Sequence, residues 1–168
     1  MTEWSPSERE THPARRVCTA LALLLILFLA LALRVENLQA SYWVDEVRTW
    51  EGATKPFSEA IVHCPYPLYY VLGHFALYLG DTEAALRFPS VLCGVLGVLA
   101  MYFALRSLHG RIAGLAGALL LATCEFHVFF SREARFYALM MLAGLLMLWL
   151  LYRALTAGGF VNWALFAM

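Results

Sequence analysis

The sequence predicts an all-α integral membrane protein, a polytopic bundle of transmembrane helices, and two observations carry that prediction. Hydrophobic residues make up 62% of the chain and charged residues 14%, with a mean hydropathy of +0.68. That is too little charge to cover a soluble surface. The apolar residues are also gathered into runs of roughly 17 to 19 between arginines, close to what a helix needs to cross the hydrocarbon core. The 12 basic and 12 acidic residues cancel, which gives no reason to expect a nucleic-acid partner. Cys18, Cys64, Cys93 and Cys124 show no CxxC or other ligand spacing and read mostly as small apolar residues.

Residues 1–16 contain Pro6, Pro13 and mixed charges without periodicity, and read as a cytoplasmic tail. No residue between Arg16 and Arg34 is charged, which predicts a helix over about 17–33, roughly 25 Å long. A signal peptide would have a shorter apolar part followed by small residues. Here Arg34-Val35-Glu36-Asn37 follows, so the helix is expected to stay uncleaved, its start on the cytoplasmic side.

Residues 34–66 form a polar segment on the far side. Within it, Lys55 to Val62 predicts a short surface helix led by Pro56. The proline-led stretch 67–79 offers about 20 Å of helix and three tyrosines, so it either crosses the bilayer or lies along it. Charge counting does not decide, since either topology puts 6 Lys or Arg on each side.

Further spanning helices are predicted over about 84–106, 111–130 and 134–153, with the start of another at 160. Glu125 and His127 interrupt the second of these, so its end is expected to emerge into a polar cavity. Gly94, Gly97, Gly110, Gly114 and Gly117 read as helix-packing positions. The link from Arg106 to Arg111 is basic without an acid, which favours the cytoplasm. With that side assigned, 67–79 does not span and Ser131 to Arg135 emerges on the same side of the membrane as Asp45. The last apolar run, Phe160 to Met168, is about half a span, so 17–168 reads as the N-terminal part of a longer transmembrane domain whose C-terminal remainder is absent.

The chemistry is expected to centre on Ser41-Tyr42-Trp43-Val44-Asp45-Glu46. Adjacent side chains point apart on a helix or a strand, so one carboxylate is expected to act on substrate and the other to support its surroundings. Burial among Tyr42, Trp43 and Trp50 would raise a carboxylate pKa and make a better base. A solvated loop is the plain alternative.

Arg132 and Arg135, three apart, would share a helix face with Ser131 as cap. Two cations at a helix start run against the dipole unless an anion lies between them. Phosphate fits the guanidinium fork, and Tyr137 would add a hydroxyl. The alternative is pairing with Glu133 and Glu125 or with headgroups. Arg87 reads either as a third phosphate ligand or as an interfacial anchor. His63 with Cys64, and Glu125 with His127, match no zinc spacing and read as a polar rim. The scheme requires no cofactor, and a divalent metal near the acidic pair is compatible with it.

The order of motifs resembles a known group. A first helix is followed by Trp43-Val44-Asp45-Glu46, Pro65-Tyr66-Pro67-Leu68-Tyr69-Tyr70, Arg87-Phe88-Pro89-Ser90 and Ser131-Arg132-Glu133-Ala134-Arg135-Phe136-Tyr137. This set, over about residues 17–155, resembles the N-terminal region of the protein mannosyltransferase and aminoarabinose transferase-like families, membrane glycosyltransferases of the GT-C class. Where the family often has adjacent prolines, Tyr66 separates Pro65 from Pro67 here.

The resemblance implies a polyprenyl-phosphate-linked sugar donor, a lipid, glycan or protein acceptor, and inverting transfer on the outer face of the plasma membrane. It also implies that the aspartate of the acidic pair is catalytic and that the proline-led segment is a juxtamembrane helix. Asp45 and Glu46 are thus the candidate catalytic residues. Arg132, Arg135, Tyr137, Arg87, His63 and Tyr69 are the candidate substrate-binding residues. This stretch alone is expected to be inactive. A lipid-linked substrate transporter or flippase, or a noncatalytic membrane module, is the alternative function.

Overall fold

The structure, a computed structural model, describes residues 13–62, 66–157 and 160–167. His63 and Cys64 lie outside the described residues. Every regular element among those described is helical: α1 (Pro13–Val35), α2 (Val44–Ala53), α3 (Phe57–Val62), α4 (Pro67–Ala76), α5 (Glu83–His109), α6 (Arg111–Thr123), α7 (Glu125–Arg132), α8 (Tyr137–Ala157) and α9 (Phe160–Ala167). Among the described residues α1, α5 and α8 are each long and apolar enough to cross a membrane, and α6 with α7 makes a fourth candidate span bent by 58°.

α5 is the centre of the bundle, touching α1, α4, α6, α7 and α8. Its span is 56% buried, against 6% for α1 and 11% for α8. The cause is side-chain size. Ser90, Cys93, Gly94, Gly97, Ala100 and Ala104 form its buried face, and small residues let neighbouring backbones approach where lipid supplies no hydrophobic drive. A Cβ at Gly94 would collide with Ser131 Oγ, and one at Gly97 would stand 3.2 Å from His127 Nε2. Gly114 of α6 lies over the Tyr102 carbonyl, 2.8 Å from where its Cβ would be. Ala30, Val98, Tyr102, Ala118 and Ala122 close the core among α1, α5 and α6. The exposed leucines of α1, among them Leu21, Leu24 and Leu25, are what a lipid-facing helix requires.

The break between α6 and α7 falls at Cys124, whose backbone turns extended (φ −62, ψ 115). Breaking a helix frees its last carbonyls, which must find donors inside a membrane. Arg34, fully buried at the end of α1, supplies them: Nη1 donates to Ala122 O (3.2 Å) and Nη2 to Leu121 O (3.5 Å). Arg34 Nη2 also donates to His127 Nδ1 (2.7 Å). A guanidinium only donates, so Nδ1 is unprotonated and the imidazole proton sits on Nε2. Arg132 returns the exchange, with Nε donating to Leu33 O at the end of α1 (2.8 Å) and Nη2 to Glu36 (2.8 Å). Arg34 of α1 thus caps the end of α6 and Arg132 of α7 caps the end of α1, both places where the dipole favours a cation.

α2 and α4 lie at the end of the bundle where α1 finishes and α5 begins. α4 is ten residues long, about 15 Å, too short to span. It buries Tyr69, Tyr70, Gly73 and Ala76 against α2 and α5. His74 Nδ1 meets Ala53 O at 2.8 Å and Trp50 Nε1 donates to Asp81 (3.0 Å), fastening α2 to α4 and to the turn that follows it.

Candidate active site

The site is built outward from Glu46. α2 starts after Trp43, and Glu46, at the third helical position, accepts the Trp43 N–H through Oε2 (3.3 Å), one half of a capping box. The same carboxylate reaches two more elements. Arg87 Nε donates to Oε1 (2.8 Å) and Nη2 to Oε2 (2.6 Å), and the Ala134 N–H, between α7 and α8, donates to Oε1 (2.7 Å). Four donors fill the carboxylate's accepting capacity. Burial opposes the charge on Glu46, but the hydrogen bonds from Arg87, Ala134 and Trp43 outweigh it and hold the carboxyl below its ordinary value.

Arg87 is equally committed. Its Nη1 donates to Leu38 O (2.7 Å) and Ala40 O (2.6 Å), and Nη2 to Ser41 O (3.4 Å), so the guanidinium ties the α1–α2 link to α5. It is 4% exposed, and its Nε, Nη1 and Nη2 all donate to the protein itself. In this position it braces Glu46 and the turn that carries the acidic pair.

Burying Glu46 turns its neighbour outward, because successive helical residues lie roughly 100° apart. Asp45 accordingly keeps a side chain 59% exposed, with Arg48 Nη1 at 3.8 Å. The burial expected for a carboxylate here thus falls on Glu46, against Arg87 and Ala134, and not on Asp45. Asp45 lines a pocket of about 200 Å³ together with Trp43, Glu46, Phe129, Phe130, Glu133, Arg135 and Tyr137. Arg135 Nη1 donates to the Asp45 carbonyl (3.1 Å), which fixes the cation beside the carboxylate-bearing turn. The Arg135 guanidinium lies 5.6 Å from the Phe136 ring centre and 5.8 Å from that of Tyr137, and its Nε is buried without a hydrogen-bond partner among the described residues.

Four of the residues singled out from the sequence therefore meet here: Asp45, Glu46, Arg135 and Tyr137. Arg132 does not join them. α7 ends at Arg132 and Glu133 is extended (φ −93, ψ 141), so Arg132 and Arg135 share no helix face. Arg132 stands at a helix end, where a cation is favoured, which removes the electrostatic argument for an anion between the two. Ser131 caps nothing ahead of it and donates back to His127 O. Tyr69 is also outside the pocket. Ser90 Oγ donates to Arg135 O (3.1 Å), leaving its lone pairs to accept the Tyr69 hydroxyl proton (2.7 Å). Burial pushes the Tyr69 phenol up, so it stays a donor. Tyr69 is thus linked to the Arg135 backbone through Ser90.

Glu133, expected only as a partner for the arginines, also lines the pocket. Its carboxyl is raised above the ordinary value by burial and then by the Glu46 charge. Tyr42, whose ring centre lies 5.6 Å from the Arg87 guanidinium, has a buried hydroxyl without a hydrogen-bond partner among the described residues, and its phenol is pushed up to about 12 by burial and by Glu83. Among the described residues no three His, Cys, Asp or Glu side chains form a metal cluster. A divalent ion in this pocket would meet Asp45 and Glu133.

Residues 62–168, well over half of the 168, match the family model described as dolichyl-phosphate-mannose-protein mannosyltransferase. No curated protein and no solved structure matches the chain. The matched stretch contains Arg87, Arg132, Glu133, Arg135 and Tyr137, while Asp45 and Glu46 precede it and join it through the Glu46 hydrogen bonds to Arg87 and Ala134. With its apolar helices around a small-residue core, the chain belongs to the dolichyl-phosphate-mannose-protein mannosyltransferase family, membrane glycosyltransferases of the GT-C type.

Proposed function

We propose that the chain carries the donor side of an inverting glycosyltransferase that moves a sugar from a polyprenyl-phosphate-linked donor to a lipid, glycan or protein acceptor at the external face of the plasma membrane. The observation that carries this reading is a single pocket in which the exposed Asp45 carboxylate and the Arg135 guanidinium stand together, held by one buried carboxylate behind them. Asp45 takes the proton of an acceptor hydroxyl. The hydroxyl oxygen attacks the anomeric carbon, the bond from that carbon to the phosphate oxygen breaks, and polyprenyl phosphate leaves with the electron pair. Arg135 balances the charge on the departing phosphate, and Tyr137 adds a hydroxyl to it. Glu46, Arg87 and Tyr69 position these groups without touching substrate. The aromatic walls, Trp43, Phe129 and Phe130, lower water access, which strengthens charge stabilisation in the pocket.

The test is release of polyprenyl phosphate from a labelled donor by the full-length protein. Asp45→Asn is expected to lower turnover by about 10² to 10⁴-fold with unchanged membrane insertion. Turnover near that of the wild type would remove Asp45 from the base role. Arg135→Ala is expected to cost about 10² to 10³-fold in turnover, and an unchanged rate together with an unchanged donor KM would refute its phosphate role.

A further inference from the structure

The turn between α7 and α8 presents two opposite charges to one pocket, and the mechanism above uses only one of them. Ala134, at the centre of the turn, is fully buried and packs with Ala53 and Leu86. Its neighbours Glu133 and Arg135, both half-buried, line the pocket that holds Asp45. The backbone between them is held at three points. The Arg135 N–H donates to Glu133 O (2.8 Å), closing a three-residue turn, the Ala134 N–H donates to Glu46 (2.7 Å), and Ser90 Oγ donates to Arg135 O (3.1 Å).

Opposite charges two residues apart in a half-buried pocket are expected to close on each other. Here they stay apart: among the described residues Glu133 enters no ion pair, and its carboxylate accepts no hydrogen bond. Arg135 is engaged elsewhere, with Nη1 on the Asp45 carbonyl (3.1 Å) and its guanidinium against the Phe136 and Tyr137 rings. We propose that Glu133 is a specificity-determining residue of the donor site, its carboxylate accepting hydrogen bonds from hydroxyls of the donor sugar while Arg135 holds the phosphate. This assignment rests on the glycosyltransferase reading of the pocket and names the group that reads the sugar.

Charge complementarity selects the ligand. A free anion would meet Glu133 and a free cation would meet Arg135. A glycosyl phosphate brings its anionic phosphate to the guanidinium and its neutral hydroxyls to the carboxylate. Burial first, and then the Glu46 charge, raise the Glu133 carboxyl, so hydroxyl donors relieve a charge that its surroundings disfavour. Trp43, 59% exposed and set edge-on to Phe129 at 6.5 Å, lines the same pocket and offers a flat apolar face to the carbon-bound side of a sugar ring.

The experiment uses the full-length protein in detergent and reads kcat/KM for release of polyprenyl phosphate. The probes are polyprenyl-phosphate mannose, glucose and arabinose, followed by the monodeoxy analogues of whichever the wild type uses best. The wild type is expected to reject at least one analogue by about 10 to 100-fold, the worth of a hydrogen bond to a charged acceptor. Glu133→Ala is expected to use that analogue and the parent donor within about threefold of each other, through loss of the parent. Glu133→Gln keeps the size and one acceptor oxygen and is expected to fall between. Arg135→Ala is expected to lower every donor by one factor and so to keep the discrimination. The ratio isolates the role, because a disturbed turn would lower all donors alike.

An active wild type that rejects none of the analogues would overturn the assignment. Undiminished rejection by Glu133→Ala would overturn it too, and would leave glycosyl transfer standing. Should the alanine variant fail to fold, Glu133→Gln decides, and full retention of the discrimination there overturns the assignment. Turnover that stops with EDTA and returns with Mn²⁺, at a higher Mn²⁺ concentration in Glu133→Gln, would overturn the hydroxyl role in favour of a divalent ion between Asp45 and Glu133. Release of polyprenyl phosphate from none of the three donors would overturn the transferase reading itself, and the Glu133 assignment with it.

Discussion

Four hydrogen bonds converge on one carboxylate, and the consequences of removing it can be stated residue by residue. Glu46→Gln would replace a charged acceptor with an amide that cannot receive all four donors, leaving Arg87 buried and unbalanced. Breaking one partner of such a pair costs about 3–5 kcal/mol, so a large fall in melting temperature in detergent is expected. A shift within about 1 °C would show that the ion pair is not what holds α2 to α5. The acid side gives an independent check. The Glu46 carboxyl is held below 4.5 when folded, so its contribution is present above the unfolded value and is lost as pH falls through the folded one. The stability gap between wild type and Glu46→Gln is therefore expected to shrink as pH drops below about 4.5 and to stay constant above it. Tyr69→Phe removes one buried hydrogen bond and should cost about 1 kcal/mol. Because Ser90 joins Tyr69 to the Arg135 carbonyl, the change is expected to lower turnover as well, with donor KM little altered. Unchanged kinetics would limit Tyr69 to packing.

At the scale of elements, what the sequence could convey depended on whether the signal was local. Apolar runs between arginines specify helices by length and composition, and the bundle class was legible for that reason. The interruption by Glu125 and His127 was legible too, but not its resolution, because the donor that satisfies the freed carbonyls is Arg34, 88 positions from Ala122 in the chain. Arg34 read as the flank of the first span, with no local cue that it turns inward. Helix α2 was hidden for a related reason, since its aromatic cap residue Trp43 departs from the Ser, Thr, Asp and Asn pattern that announces a helix start. Arg132 was misread because the three-residue spacing to Arg135 assumed one continuous helix, and the chain is extended at Glu133. The exchange of arginines between helix ends yields its own prediction. Gly94→Val would drive a side chain into Ser131 and Arg34, forcing α7 from α5 and opening the α6 carbonyls. The expected result is a loss of stability of about 2–4 kcal/mol, accompanied by faster amide exchange at Leu121 and Ala122. Unchanged exchange there would separate the glycine from the break.

The whole molecule has two charged ends of different construction. At one, cations are spent on the protein itself: Arg34 and Arg132 cap helices and Arg87 holds Glu46, so that Arg135 is left facing the pocket. At the other, Arg106, bonded to the Tyr102 hydroxyl, and Arg111 line an open cavity. The counting of positive charges tied because it gave every arginine equal weight, although those committed to buried partners and those facing the membrane surface report on different things. Sidedness can be read directly. In a variant whose four cysteines are replaced by alanine or serine, single cysteines at Val44 and Ile112, both exposed, mark the two ends without disturbing Asp45, Arg135 or the arginine cavity. A membrane-impermeant maleimide added to intact cells is expected to label Val44→Cys, and to label Ile112→Cys only after permeabilisation. Labelling of both from outside would mean that one candidate span does not cross. Labelling of Ile112→Cys alone would invert the chain and put the Asp45 pocket on the cytoplasmic side, removing the external-face reading while leaving the geometry of the pocket intact.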